Sequence, residues 1–327
     1  MKAVIHTHLA MEYPDLVNRV KLDLDKTRIT VTETLEDMME ELGGAEVLLY
    51  GRPDEAVLDA GKLLKAVIIP YTGVNRFEMS WFRKRGLLLG NSHGNAAIVA
   101  ERAVGLAMAV CGRIPEFHND LTRGDWHGTD DPVHPFDNWL SLQGKKVSIL
   151  GTGAIGSHIA GLLTGFNMEI MGFRLHAAEK LPGFVSVTGN VDEALSFGDI
   201  IFLALPLTEK TRHSLDGKRL EKMKGKYIIN VARGELIEEK AFFECLKDGI
   251  LAGAGIDAWY TYPREGDPVR TGSRYPFHTL PNVVVSPHAA SHTEEGEMGQ
   301  FRGALDNLRH YVKTGRLLYS VNLGEGY

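Results

Sequence analysis

The sequence predicts an α/β protein made of two parallel-sheet units. Three observations carry that prediction. Short β-rich runs alternate with helical patterns through almost all of the 327 residues. The alternation breaks once, at a proline- and aspartate-rich passage from Arg123 to Trp139, and then restarts. At roughly 150 residues per domain, the length suits two domains better than one.

The first strands expected are Lys2–His6, Arg28–Thr32, Val47–Tyr50, Ala66–Ile69 and Leu87–Leu89, with helical spacing between them in segments such as Glu36–Leu42 and Ala56–Leu64. Strand, helix, strand in succession implies a parallel sheet covered on both faces. Ile98 to Val110 is long, apolar and alanine-rich, and reads as a buried helix or a subunit contact. Arg123–Trp139 reads as an irregular excursion. The second set of strands is Lys146–Leu150, Glu169–Phe173, Ile200–Ala204, Tyr227–Asn230, Ala254–Asp257 and Val283–Ser286. Glu294–Lys313 has a helical pattern, and Leu317–Tyr327 is irregular. No short-period repeat is present, which argues against a solenoid.

Composition narrows the function classes. Apolar residues at 44% and charged residues at 24% are globular proportions and exclude a wholly disordered chain. The net charge of −6 argues against a nucleic-acid or anionic-membrane partner, which would need a basic face. Trp81–Arg85 is one short amphipathic run and reads as a solvated helix end. Cys111 and Cys245 make no disulfide framework and read as small buried residues in helices. The N-terminus lacks the apolar core of a signal peptide, and Ala103–Cys111 is too short to span a bilayer. A soluble, cytoplasmic protein is expected. His288 and His292 stand four apart, but no third ligand suggests itself, so no metal site is expected.

The sharpest local signal is Gly151-Thr152-Gly153-Ala154-Ile155-Gly156 between the strand Val147–Leu150 and the helical pattern Ser157–Thr164. Gly151 permits the tight turn, Gly153 lets a pyrophosphate approach the backbone, and Gly156 allows close helix–strand packing. Amides at the helix start, Ala154 and Ile155 among them, then face an anion. Folds of this kind specific for NAD place an acidic residue about 20 residues on. This chain has Arg174 there, which cannot accept from ribose hydroxyls but pairs well with a 2′-phosphate. NADP(H) is expected over NAD(H), with NAD still possible.

The order of motifs resembles the D-isomer-specific 2-hydroxyacid dehydrogenase family, in the manner of glyoxylate/hydroxypyruvate reductases. It rests on Gly151–Gly156, Leu205-Pro206-Leu207-Thr208, Asn230-Val231-Ala232-Arg233-Gly234, Gly255-Ile256-Asp257 and Ser286-Pro287-His288. The resemblance implies two doubly wound lobes: a Rossmann cofactor domain, residues 94–291, inserted into a smaller flavodoxin-like substrate domain, residues 1–93 plus 292–327. It also implies an active site in the cleft, a homodimer joined through Ile98–Val110, and reversible hydride transfer between nicotinamide and a small 2-oxoacid. On the family's pattern Arg233 clamps the substrate carboxylate and carbonyl, and His288 is the acid/base. Pro206, Val231 and Ala232 line the cofactor, Thr211 lies close to its phosphates or ribose, and Asp257 binds the carboxamide. Thr72-Gly73-Val74-Asn75 resembles the loop whose amides hold the substrate carboxylate, through Gly73 and Val74, and Asn95 is a candidate substrate contact.

One position departs from the family. Where its third catalytic residue is a glutamate, this chain has Tyr262, and the nearest carboxylate, Glu265, lies beyond Pro263. A glutamate beside the histidine raises the imidazolium pKa, and a neutral phenol does much less. The expectation is a reductase favouring lower pH, or chemistry needing no proton relay. The latter points to formate dehydrogenases, which have a neutral glutamine there and an asparagine resembling Asn95. A non-catalytic nicotinamide-sensing protein is a third reading.

Overall fold

The computed structural model describes residues 1–127, 138–175, 181–263 and 271–327. His176, Glu265 and most of the Arg123–Trp139 excursion lie outside the described residues. The chain divides into two compact units, Met1–Asn95 with Ser291–Tyr327, and Ala96–Ala290.

In the first unit five parallel strands run β1 (Lys2–His6), β2 (Arg28–Val31), β3 (Val47–Tyr50), β4 (Ala66–Ile68) and β5 (Leu88–Gly90) in chain order. They stand in the spatial order β2-β1-β3-β4-β5, the flavodoxin-like arrangement. Successive side chains point to opposite faces, so one sheet feeds two cores. Ala3, Ile5, Leu49 and Ile68 pack against Val17, Phe301, Leu305 and Leu308 on one side. Val4, Leu48, Val67 and Leu89 pack against Met38, Leu42, Leu58 and Phe82 on the other. Phe82 is fully buried in helix Met79–Lys84, so Trp81–Arg85 is more than a solvated end. The helix Glu55–Ala60 stops before Gly61, shorter than its spacing suggested. The tail bridges β5 antiparallel at Ser320.

In the second unit the strands are β6 (Lys146–Leu150), β7 (Glu169–Phe173), β8 (Ser186–Thr188), β9 (Ile200–Leu203), β10 (Tyr227–Asn230), β11 (Gly253–Ile256) and β12 (Val283–Val285). Their order is β12-β11-β10-β9-β6-β7-β8, all parallel, a doubly wound Rossmann sheet with a seventh strand at one edge. β8 escapes the sequence reading because it has only three residues and lies at an edge, where no alternation accumulates. Helices Ala96–Cys111 and Ala154–Leu163 cover one face through Ala103, Leu106, Ala107, Ile159 and Leu163. Leu195, Leu220, Phe242 and Leu246 cover the other.

Candidate active site

Parallel sheets place ligands beyond the carboxyl ends of their strands, and the second unit carries its chemical motifs there. β6 gives way to Gly151, whose φ is +108° and whose missing Cβ leaves room for the Ala204 carbonyl. Gly156 rides on that turn, because a Cβ there would strike the Gly151 carbonyl oxygen. Gly153 differs from both. It is the N-cap of helix Ala154–Leu163 with no side-chain cap, and a Cβ on it would meet nothing within 4 Å. First-turn amides with the helix dipole behind them therefore border open space, and these residues fit a dinucleotide phosphate. Arg174 follows β7, exposed, its amide donating to Thr188 O at 3.1 Å.

The loop after β9 is tied to itself. Thr211, buried, donates to Pro206 O at 2.7 Å and accepts from the Thr208 amide at 2.8 Å. The hydroxyl thus shapes the Pro206–Thr211 turn.

After β10, the Asn230 side chain accepts from the Ala232 amide at 3.0 Å and donates to Arg233 O at 2.9 Å. This folds Val231, Ala232 and Arg233 into a turn, in which Arg233 Nη1 donates to Ala232 O at 2.6 Å. A Cβ on Gly234 would come 2.5 Å from the Trp259 carbonyl carbon, so glycine lets the Arg233 turn press onto the segment after β11.

Asp257 directly follows β11, 2% exposed, and its carboxylate is committed inside the protein. It accepts from Ser286 Oγ at 2.5 Å and from the Ala289 and Ala290 amides at 2.9 and 3.1 Å. That clamp holds the turn after β12, where His288 adopts φ +55°, a conformation uncommon outside glycine. The Trp259 indole donates to Ser286 O at 2.7 Å and braces the same turn.

Tyr262 Oη lies 2.6 Å from His288 Nδ1 and accepts from the Trp259 amide at 3.5 Å. Burial pushes the phenol above its ordinary value, against the Trp259 amide and the nearby Arg233 charge, which pull it down. It is neutral at ordinary pH. Arg233, Asp257, Tyr262 and His288 thus gather at three neighbouring strand ends. Among the described residues, no group of three or more His, Cys, Asp or Glu could hold a metal ion.

A family model for the D-isomer specific 2-hydroxyacid dehydrogenase NAD binding domain matches residues 104–290. The chain belongs to this family. A glyoxylate reductase of Thermofilum pendens is 32% identical over 272 residues, covering 81% of this chain and 77% of that one. A D-3-phosphoglycerate dehydrogenase of Methanocaldococcus jannaschii is 28% identical over 84% of this chain, which spans about half (51%) of that relative's length. A crystal structure from Pyrococcus horikoshii has a TM-score of 0.77 at 27% identity, covering 98% of this chain and 95% of that one. This dehydrogenase-family chain therefore pairs the expected Rossmann sheet with a second α/β unit.

In that second α/β unit, the one containing the N-terminus, Thr72–Asn75 is tied to the segment after β5. Asn91 donates to Thr72 O at 2.8 Å, and the Thr72 hydroxyl donates to Ser92 O at 2.8 Å and lies 3.3 Å from Asn95 Oδ1. Val74 and Asn95 are buried, and Gly73 is half-buried. Asn230, Ser286 and Gly234, which lie within the sequence motifs, shape the turns that carry Arg233 and His288. Among the described residues no helix is long and apolar enough to cross a membrane.

Proposed function

We propose that this dehydrogenase reduces small 2-oxoacids to 2-hydroxyacids, with NADPH preferred over NADH because Arg174 stands where an acid would select NAD. Arg233 pairs its guanidinium fork with the substrate carboxylate and polarises the ketone oxygen. His288, engaged at Nδ1 by Tyr262, turns Nε2 to the substrate and gives its proton to the oxygen as negative charge develops. The bound nicotinamide supplies the hydride. Gly151, Gly153, Ala154, Ile155 and Gly156 hold the pyrophosphate, with Pro206, Val231 and Ala232 lining the cofactor and Asp257 at its carboxamide. Thr211 acts by holding the Pro206 turn. Gly73 and Val74 amides, with Asn95, take the substrate's carboxylate end.

The observation that supports this reading best is the joint placement of Arg233, Tyr262 and His288, from turns after three strands, around one hydrogen bond of 2.6 Å. The neutral phenol in that bond favours one second reading, formate oxidation, which needs no base. A panel of glyoxylate, hydroxypyruvate, pyruvate, bulkier 2-oxoacids and formate, each with NADPH and NADH, tests both. Turnover of formate alone overturns the first reading, and tight cofactor binding without any turnover favours a sensor.

The protein is further read as a cytoplasmic homodimer. Helix Ile114–Thr122 buries none of its residues. Ile114, Leu121 and Met108 on the same stretch, with Trp126 and Trp139, are exposed apolar groups of the second unit. A second copy of this chain covering them would remove that surface from water.

A further inference from the structure

Among the described residues, two arginines of the first unit stand without counter-ions beside the Thr72–Asn75 turn. Arg76 directly follows that turn, and Arg52 follows β3 by two residues. Arg76 is fixed in place: Nη2 donates to Gly51 O at 2.6 Å, and its guanidinium lies 4.8 Å from the Tyr71 ring centroid and 5.1 Å from that of Phe77. The Tyr71 hydroxyl donates to the same Gly51 carbonyl, locking the ring on which the cation rests. Withdrawal from water, and then the charge of Arg52 close by, push the Arg76 guanidinium below its ordinary value.

Two neighbouring carboxylates, Asp54 and Glu55, are engaged elsewhere. Asp54 caps the helix Glu55–Ala60 by accepting from the Val57 amide at 2.9 Å, and Glu55 pairs with Arg85 at 3.3 Å. Among the described residues, neither Arg52 nor Arg76 has a carboxylate within ion-pair distance. Two like charges held together cost free energy in a chain whose net charge is −6, where acids to neutralise them are plentiful. They lie at the carboxyl ends of β3 and β4, beside the point where the order β2-β1-β3 reverses direction, which is where such sheets take ligands.

We infer that Arg52 and Arg76 form a subsite for a second oxyanion on the substrate, so that the protein acts on 2-oxoacids carrying a distal carboxylate or phosphate. The inference rests on the function proposed above, with the Gly73–Val74 amides taking the first carboxylate. Arg76 is pre-organised by its stack and carbonyl bond, so little freedom is lost when it pairs with an anion.

The test compares glyoxylate and pyruvate with oxaloacetate, 2-oxoglutarate and phosphohydroxypyruvate for the native protein and for Arg52→Gln, Arg76→Gln and the double variant. At least one doubly anionic substrate is expected to exceed pyruvate in kcat/KM; whether the dicarboxylates or the phosphate lead tells which oxyanion is read. Each single substitution should lower the ratio of that substrate's kcat/KM to that of glyoxylate by roughly 10- to 100-fold. Equal losses on glyoxylate and on the dianion, or no preference for any dianion in the native protein, overturn the subsite while leaving 2-oxoacid reduction intact. Should no 2-oxoacid be turned over, the functional reading fails by itself, and calorimetry on the native protein without cofactor decides the subsite. Glutarate or glycerol 3-phosphate binding tighter than glycolate, and losing that margin in the double variant, supports it; equal binding overturns it.

Discussion

The hydroxyl of Tyr262 and Nδ1 of His288 meet at 2.6 Å, across 26 residues of chain. A carboxylate in that place could only accept from the ring. A phenol donates or accepts, so neutral imidazole keeps both tautomers, and imidazolium gains no opposing charge.

This sets the pH dependence. On the proposed mechanism reduction consumes a proton from His288, so activity is expected to fall as pH rises. Tyr262, held neutral by its raised pKa, adds no ionisation in that range. Replacing Tyr262 by Glu should move the falling limb of kcat/KM for glyoxylate upward by about one pH unit or more. Tyr262→Phe should lower kcat roughly 2- to 10-fold through the lost hydrogen bond, with little upward shift. Coincident limbs for native protein and the Glu variant would remove Tyr262 from the proton step.

The proposed preference for NADPH rests on Arg174. Arg174→Asp removes the guanidinium proposed to pair with a 2′-phosphate and supplies an acceptor for ribose hydroxyls. The ratio of kcat/KM for NADPH to that for NADH should fall by roughly 100-fold or more, since attraction is replaced by repulsion. An unchanged ratio places the selectivity elsewhere.

The glycine turn separates folding from binding. Gly156→Ala drives a methyl group into the Gly151 carbonyl, and Gly153→Ala places one in open space. The first should lower the unfolding midpoint by several degrees, with a cost of about 1–3 kcal/mol. The second should leave that midpoint within about 0.5 kcal/mol of the native value and weaken NADPH binding about 10-fold or more, read by fluorescence titration. Similar melting for the two variants would mean that Gly153 serves only the fold.

The exposed apolar surface predicts assembly. In sedimentation equilibrium the native protein should run as a dimer, and the pair Ile114→Glu with Leu121→Glu should run as a monomer of 36.1 kDa with its far-ultraviolet spectrum retained. A native monomer at working concentrations would overturn the homodimer.

Much of this architecture is written locally. Val147–Leu150, the glycine turn and the helix behind it announce themselves within a dozen or so positions, because strand alternation and backbone sterics are short-range. Helix Ala96–Cys111 overran its expected ends by two residues at the start and one at the finish, since alanine and glycine edges carry little pattern. β8 left no trace, because three residues at a sheet edge hold no period.

The site is legible only in part. Arg233, Tyr262 and His288 stand out by motif, yet nothing local says that Asp257 takes three hydrogen bonds from Ser286, Ala289 and Ala290 and so fixes the left-handed His288. Nor does it say that Tyr71 and Arg76 share the Gly51 carbonyl. By itself, the sequence determined two parallel α/β sheets, a phosphate turn and a family of chemistry. The tertiary structure decided which groups face one another, because those contacts join segments brought together only when buried apolar faces fix the strand order.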